Sequence, residues 1–122
     1  RSTATASGSV TYAHGLGSIP NTVRLTARYA DDANDLWSSS DGVYDGTNQT
    51  CIWSGVQTGT GTGSIVAGTS ITYAIGLLPL SNTDPATSGQ TGVVSVDATN
   101  ITITWTKNGL PTGVVSFMWE VY

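Results

Sequence analysis

Charge is scarce in this chain. Of 122 residues only 10% are Asp, Glu, Lys or Arg, against about a quarter in an average soluble domain. The four basic residues, Arg1, Arg24, Arg28 and Lys107, form no cluster, and the net charge is −4. That argues against phosphate neutralisation along a nucleic acid and against adsorption to an anionic membrane. No apolar run approaches the length of a membrane-spanning helix, so no membrane insertion is expected. Cys51 is the single cysteine, which rules out an internal disulfide and leaves any cysteine metal site without partners. We read it as a buried thiol acting as a small hydrophobe. His14 is the single histidine. Beside Gly15 it reads as a turn cap. With no second histidine and no Gly-x-Ser-x-Gly elbow, a Ser-His-Asp site has little to stand on. A glycine-rich phosphate loop is also missing, since Gly59 to Gly63 lacks the lysine and the helix that would follow it. No cofactor is implied, and we expect a protein that is not an enzyme.

Thr, Ser and Gly take the place of charge, and strong helix formers other than Ala are few. Thr favours strands, while Gly and Ser favour turns. In the last thirty residues Ile101, Ile103 and Trp105 alternate with Thr102, Thr104 and Thr106. After a turn cluster at Lys107 to Thr112, Val115, Phe117, Trp119 and Val121 alternate with Ser116, Met118 and Glu120. This period of two is the signature of half-buried strands. Upstream, Val23, Leu25, Ala27 and Tyr29 alternate with Thr22, Arg24, Thr26 and Arg28; the first set predicts core and the second solvent or a subunit partner. Weaker strand patterns cover Ser9 to His14, Asn48 to Trp53 and Val93 to Val96, and an apolar stretch from Ile65 to Leu78 alternates at Ile71, Tyr73, Ile75 and Leu77. Asp31 to Asp41 and Pro79 to Gly92 read as long loops, Asp45-Gly46 as a turn, and Gly55 to Gly63 as a loop or a strand without a core face. No segment sustains a helical period. We therefore expect an all-β fold, an antiparallel β-sandwich of about six to eight strands. Residues 8–122 would form one domain and residues 1–7 the end of a linker. The chain opens on Arg1 and closes on an apolar strand, so we expect a processed or excised terminal module of something longer.

The segment Val10 to Gly17 (VTYAHGLG) runs into Ile19-Pro20 and a strand; far downstream lie Val94 to Asn100 (VSVDATN), Ile101 to Ile103 and a closing strand with Trp119. This pattern resembles the C-terminal receptor-binding domains of phage tail fibres and bacterial fibre adhesins, and it is similar in layout to H-type lectins. The resemblance implies a homotrimeric fibre tip, exposed outside a cell or on a virion, that binds a cell-surface glycan. The chain departs from the lectin pattern in its inserts at Ala30 to Asn48 and Pro79 to Gly92. It also has no arginine on Val93 to Val96, and Thr106 rather than histidine follows Trp105. A bound sugar would have to be held by other residues.

Sugar recognition calls for an aromatic face against a pyranose and planar polar groups for its hydroxyls. Trp37 lies among Asp31, Asp32, Asp35 and Asp41, with Tyr44 close behind, and a tryptophan in a polar loop has no place in a sheet pattern. We therefore take Trp37, Asp31, Asp32, Asp35 and Tyr44 as ligand candidates, with packing over the sheet edge or onto a neighbouring subunit as the competing role for Trp37. Trp105, Lys107 and Asn108 at the last turn are a second group, with core the favoured role for Trp105. Trp53 and Trp119 read as core or interface. The aspartates do not match a calcium-loop spacing, so no metal site is expected. The expected function is receptor binding by a trimeric fibre; the alternative is a virion decoration or fibre cap without a ligand.

Overall fold

The computed structural model describes residues 6–31, 36–57, 64–77, 85–86, 89–109 and 113–122. Among the described residues nine strands follow one another: β1 (Gly8–Ala13), β2 (Val23–Asp31), β3 (Leu36–Tyr44), β4 (Gln49–Gln57), β5 (Ser64–Ser70), β6 (Ile75–Leu77), β7 (Gly89–Val96), β8 (Asn100–Asn108) and β9 (Val114–Val121). They build a four-stranded sheet in the order β1-β8-β7-β6 and a five-stranded sheet in the order β5-β4-β3-β2-β9, with every pairing antiparallel. The described residues contain no helix. The all-β sandwich expected from the periodicity is observed, with one strand more than the upper end of the expected range.

The core is where the period of two places it. Val23, Leu25, Ala27 and Tyr29 of β2 face Ile101, Ile103 and Trp105 of β8, with Ile75, Leu77, Val94 and Val115 between them, and all are buried. Each such side chain contributes about 1.5–3 kcal/mol by leaving water. Phe117, Trp119 and Val121 of β9 face the same core but are only partly covered, because β9 is an edge strand. A second cluster holds Cys51, Trp53 and Tyr73. Burial pushes the Cys51 thiol above its ordinary value, with hydrogen bonds to Ser40 and Ser70 opposing, and this suits the inert role expected of it.

One expectation needs correction. The polar stretch Asp31 to Asp41 is not one long loop: β2 extends to Asp31, and β3 begins at Leu36 in register with it. Three successive inward positions of β3 are Ser38, Ser40 and Gly42, which hides its period. Ser38 and Ser40 are each 1% exposed. Their burial is tolerated because Ser38 Oγ donates to Ser54 O at 2.9 Å and Ser40 Oγ accepts from Gly76 N at 3.0 Å. The apolar alternation noted at Ile71, Tyr73, Ile75 and Leu77 does not follow a single strand. The chain leaves the five-stranded sheet at Ser70, where Ser70 Oγ accepts from Thr72 N at 3.1 Å. It then crosses to the four-stranded sheet and resumes as β6, leaving Ile71 83% exposed. The part of the Gly55 to Gly63 segment beyond Gln57 and most of the Pro79 to Gly92 segment lie outside the described residues.

Candidate functional site

The expected ligand residues do not converge. Trp37 projects from β3 on the outer side of the five-stranded sheet and is 45% exposed. Tyr44 sits at the far end of the same strand with the opposite parity, so it turns inward, half-buried against the core, and its phenol donates to Gly46 O at 2.9 Å. Seven residues of strand separate the two, about 23 Å. Trp105 is 1% exposed between the sheets, packed edge-on to Phe117 with ring centroids 5.6 Å apart; it is core and cannot stack on a ligand. Lys107 and Asn108 are half-buried at the end of β8 in the other sheet, where Lys107 N donates to Ser7 Oγ at 2.9 Å and Asn108 Nδ2 to Pro85 O at 3.0 Å. Asp31 closes β2, with its side chain outside the described residues, as are Asp32 and Asp35 altogether.

Two other carboxylates are engaged in turns. Asp45 Oδ1 accepts from Thr47 N at 3.0 Å and Asn48 N at 2.6 Å. Asp97 Oδ1 accepts from Thr99 N and Asn100 N, both at 2.7 Å, and from Thr99 Oγ1 at 2.9 Å. The Asp97–Asn100 turn is held from outside by His14, whose Nε2 lies 3.0 Å from Asp97 O while its Nδ1 accepts from Leu16 N at 3.2 Å. These bonds favour the ionised form of Asp97, Thr99 foremost, and lower its carboxyl from 3.8 to about 2. A folded-state value below the unfolded one contributes stability that is fully present above about 3.8 and is lost as pH falls through about 2. Asp97→Ala should therefore flatten the fall in Tm between those two pH values. A variant as acid-sensitive as the parent across that window would remove the turn from the account.

The residues that do come together lie on the outer face of the five-stranded sheet, around a trough of about 810 Å3. Strand register builds it. One cross-strand row reads Met118, Thr26, Asp41, Ile52, and the next reads Glu120, Arg24, Val43, Thr50. Thr26 Oγ1 donates to Asp41 Oδ1 at 2.9 Å, fixing that carboxylate on the floor. Met118 and Ile52, 71% and 65% exposed, form apolar walls on either side. They stand three strand spacings apart, about 14 Å. At one end Tyr122 donates its phenol hydrogen to Glu120 Oε2 at 3.0 Å. That bond and the charge of Glu120 push the Tyr122 phenol above its ordinary value, with Arg24 opposing. Three of the twelve charged residues of the chain (four basic, eight acidic) thus line one trough, and Arg28 lies one row further along the same face. Among the described residues no three His, Cys, Asp or Glu side chains gather as a metal site.

Sequence reasoning placed Arg24 and Thr26 on an outward face but did not join them to Asp41, Ile52, Met118 and Glu120. The available signal was an apolar residue at outward parity: Ile52 between the inward Cys51 and Trp53, and Met118 between the inward Phe117 and Trp119. Comparison with family models, with curated proteins and with solved structures gives no match.

Proposed function

We propose that this chain is a non-enzymatic recognition module of the fibre-adhesin kind, and that it binds a cell-surface saccharide in the trough on the outer face of the five-stranded sheet. One observation carries the reading: a guanidinium, two carboxylates and two threonine hydroxyls (Arg24, Asp41, Glu120, Thr26, Thr50) occupy adjacent rows between apolar walls, in a chain otherwise poor in charge. Such groups accept and donate to vicinal hydroxyls, while the walls suit the C–H faces of a sugar ring. Asp41 and Glu120 stand two strands and one row apart, roughly 12 Å between backbones, with the β2 strand that carries Arg24 and Thr26 between them. Trp37 lies on the same face toward the Val114 end of the sheet, where an extended saccharide leaving the trough would meet it.

The test is binding of the intact chain to a broad saccharide array, followed by titration of any hit with Arg24→Ala, Asp41→Ala and Trp37→Ala. Loss of a charge-assisted hydrogen bond of about 1.5–3 kcal/mol should weaken binding about ten- to a hundredfold in the first two variants. Wild-type silence across the array would reject the reading. So would a hit that both variants bind at full strength. The second reading, an assembly module without a ligand, draws on Val114, Met118 and Tyr122, which are large, apolar and exposed on the closing strand.

A further inference from the structure

We infer that two copies of this chain associate edge to edge through β9, in an antiparallel pairing whose two-fold axis passes through Met118. β9 has β2 on one side and, among the described residues, no strand on the other. Tyr122 and Thr22 exchange both of their backbone hydrogen bonds, at 3.0 and 3.1 Å. In an antiparallel ladder the bonded pairs alternate. Glu120, Met118 and Ser116 therefore spend their backbone groups on β2, and those of Phe117, Trp119 and Val121 point away from it, to the side where no described strand pairs. Natural edges are blunted by lysine, proline or a bulge. From Val114 to Tyr122 there is no lysine and no proline, and Glu120 is the one charge.

The strand is also its own chemical mirror image. Read outward from Met118, it places Phe117 against Trp119, Ser116 against Glu120, Val115 against Val121, and Val114 against Tyr122. Two such strands centred on Met118 would bring like against like at every apolar position. On the inner side, half-buried Phe117 and Trp119 would cover one another across the axis. On the outer side, Val114 and Tyr122, 58% and 63% exposed, would meet, as would the two copies of Met118. The acidic Glu120 falls opposite a hydroxyl of the partner's strand and not opposite a second carboxylate. Parity agrees as well: Phe117 opposite Trp119 is a pair whose backbone groups both face away from β2, as a hydrogen-bonded pair requires. No other described edge has this property. β5, read outward from Ala67, sets Val66 against Gly68 and Ile65 against Thr69, unlike against unlike; β6 spans three residues, and β1 sets Ser9 and Thr11 outward, both already bonded to threonines of β8. An isologous contact of this kind closes at two, unlike the trimer implied by the fibre-adhesin resemblance, and it would join the two troughs across their Met118 walls.

Mass measurement on the intact chain without saccharide, by sedimentation or native mass spectrometry, tests this independently of ligand binding. A particle of twice the 12.6 kDa chain mass is expected. Met118 pairs with itself at a non-hydrogen-bonded position, with Cα atoms about 4.5 Å apart, within reach of a disulfide. Met118→Cys should therefore form a covalent pair under mild oxidation, while Ile52→Cys, on the same exposed face, should stay uncrosslinked; Cys51 is buried and silent in both. Met118→Lys sets two like charges face to face and should abolish the doubled mass with circular dichroism unchanged, because the side chain is exposed in the single copy. A monomer at every concentration, a trimer, crosslinking at position 52 but not 118, or a doubled mass that survives Met118→Lys would each overturn the inference.

Discussion

Trp105→Ala should lower the unfolding free energy by about 3–5 kcal/mol, the cost of truncating a large buried aromatic whose site cannot collapse. A domain of this size holds only about 5–15 kcal/mol in total, so the variant should unfold at a much lower denaturant midpoint or fail to accumulate folded. The site cannot collapse because of what surrounds the ring. Trp105 is 1% exposed and belongs to the central strand pair of the four-stranded sheet, with β1 on one side and β7 on the other. Its indole meets Phe117 edge-on, and Phe117 meets Tyr12 edge-on at 5.7 Å. Those three rings tie β8, β9 and β1 together along one flank. Removing the first leaves the other two packed on a void, and aromatic pairs of this geometry add about 0.5–1.5 kcal/mol beyond burial alone. Trp37→Ala is the internal control. Its ring is 45% exposed, and its truncation should cost under about 1 kcal/mol. Chemical denaturation of the two variants side by side decides the matter. Equal midpoints would mean that position 105 is not the structural tryptophan and position 37 not the surface one.

What could be read from the sequence follows the same division. β2, β8 and β9 alternate apolar and polar residues without interruption, and each has the predicted face inward. β3 was hidden because its inward places hold Ser38 and Ser40, whose hydroxyls bond across to Ser54 and Gly76; hydrogen bonding there substitutes for apolar burial, and a hydrophobicity pattern does not register it. The crossing at Ser70 to Ala74 was hidden for the opposite reason. Ile71, Tyr73 and Ile75 keep an apolar alternation through a segment that leaves one sheet for the other, so the period persisted where the strand did not. The site was less legible than the fold, because adjacency across a sheet is a property of register. Arg24 and Glu120 stand in one row though they lie near opposite ends of the chain. Trp37 could be noticed alone, as an aromatic among polar neighbours. Tyr44, seven residues on, has the opposite parity, and that single odd step puts it on the other face of the sheet.

Gly42→Ala should be the most damaging Gly→Ala change among the described glycines, at about 3 kcal/mol or more, the upper end of what overpacking costs. Gly42 faces inward on β3 beneath the crossing between the sheets. A Cβ there would collide with the carbonyl oxygen of Ala74, and would lie 2.8 Å from that carbonyl carbon and 3.1 Å from Cys51 Cβ. The obstacle is backbone, so no rotamer relieves it. Nor can the crossing move away freely. Ala74 N donates to Gly92 O at 2.9 Å and Gly76 N to Ser40 Oγ at 3.0 Å, so shifting the carbonyl pulls on the four-stranded sheet at one point and on β3 at the other. Each buried bond broken leaves a group unsatisfied at a further cost of about 1–3 kcal/mol. Two other glycines set the scale. At Gly55 the nearest atoms to a new Cβ stand at 3.2 and 3.4 Å, close enough to need only a small adjustment. At Gly15 the space is open and the penalty is that of a φ of +74°, about 1–2 kcal/mol for an L-residue in the left-handed region. Denaturation midpoints should therefore fall least for Gly55→Ala, further for Gly15→Ala and furthest for Gly42→Ala. If Gly42→Ala were as stable as the parent, the two sheets could not be clasped by the Ala74 crossing in the way described.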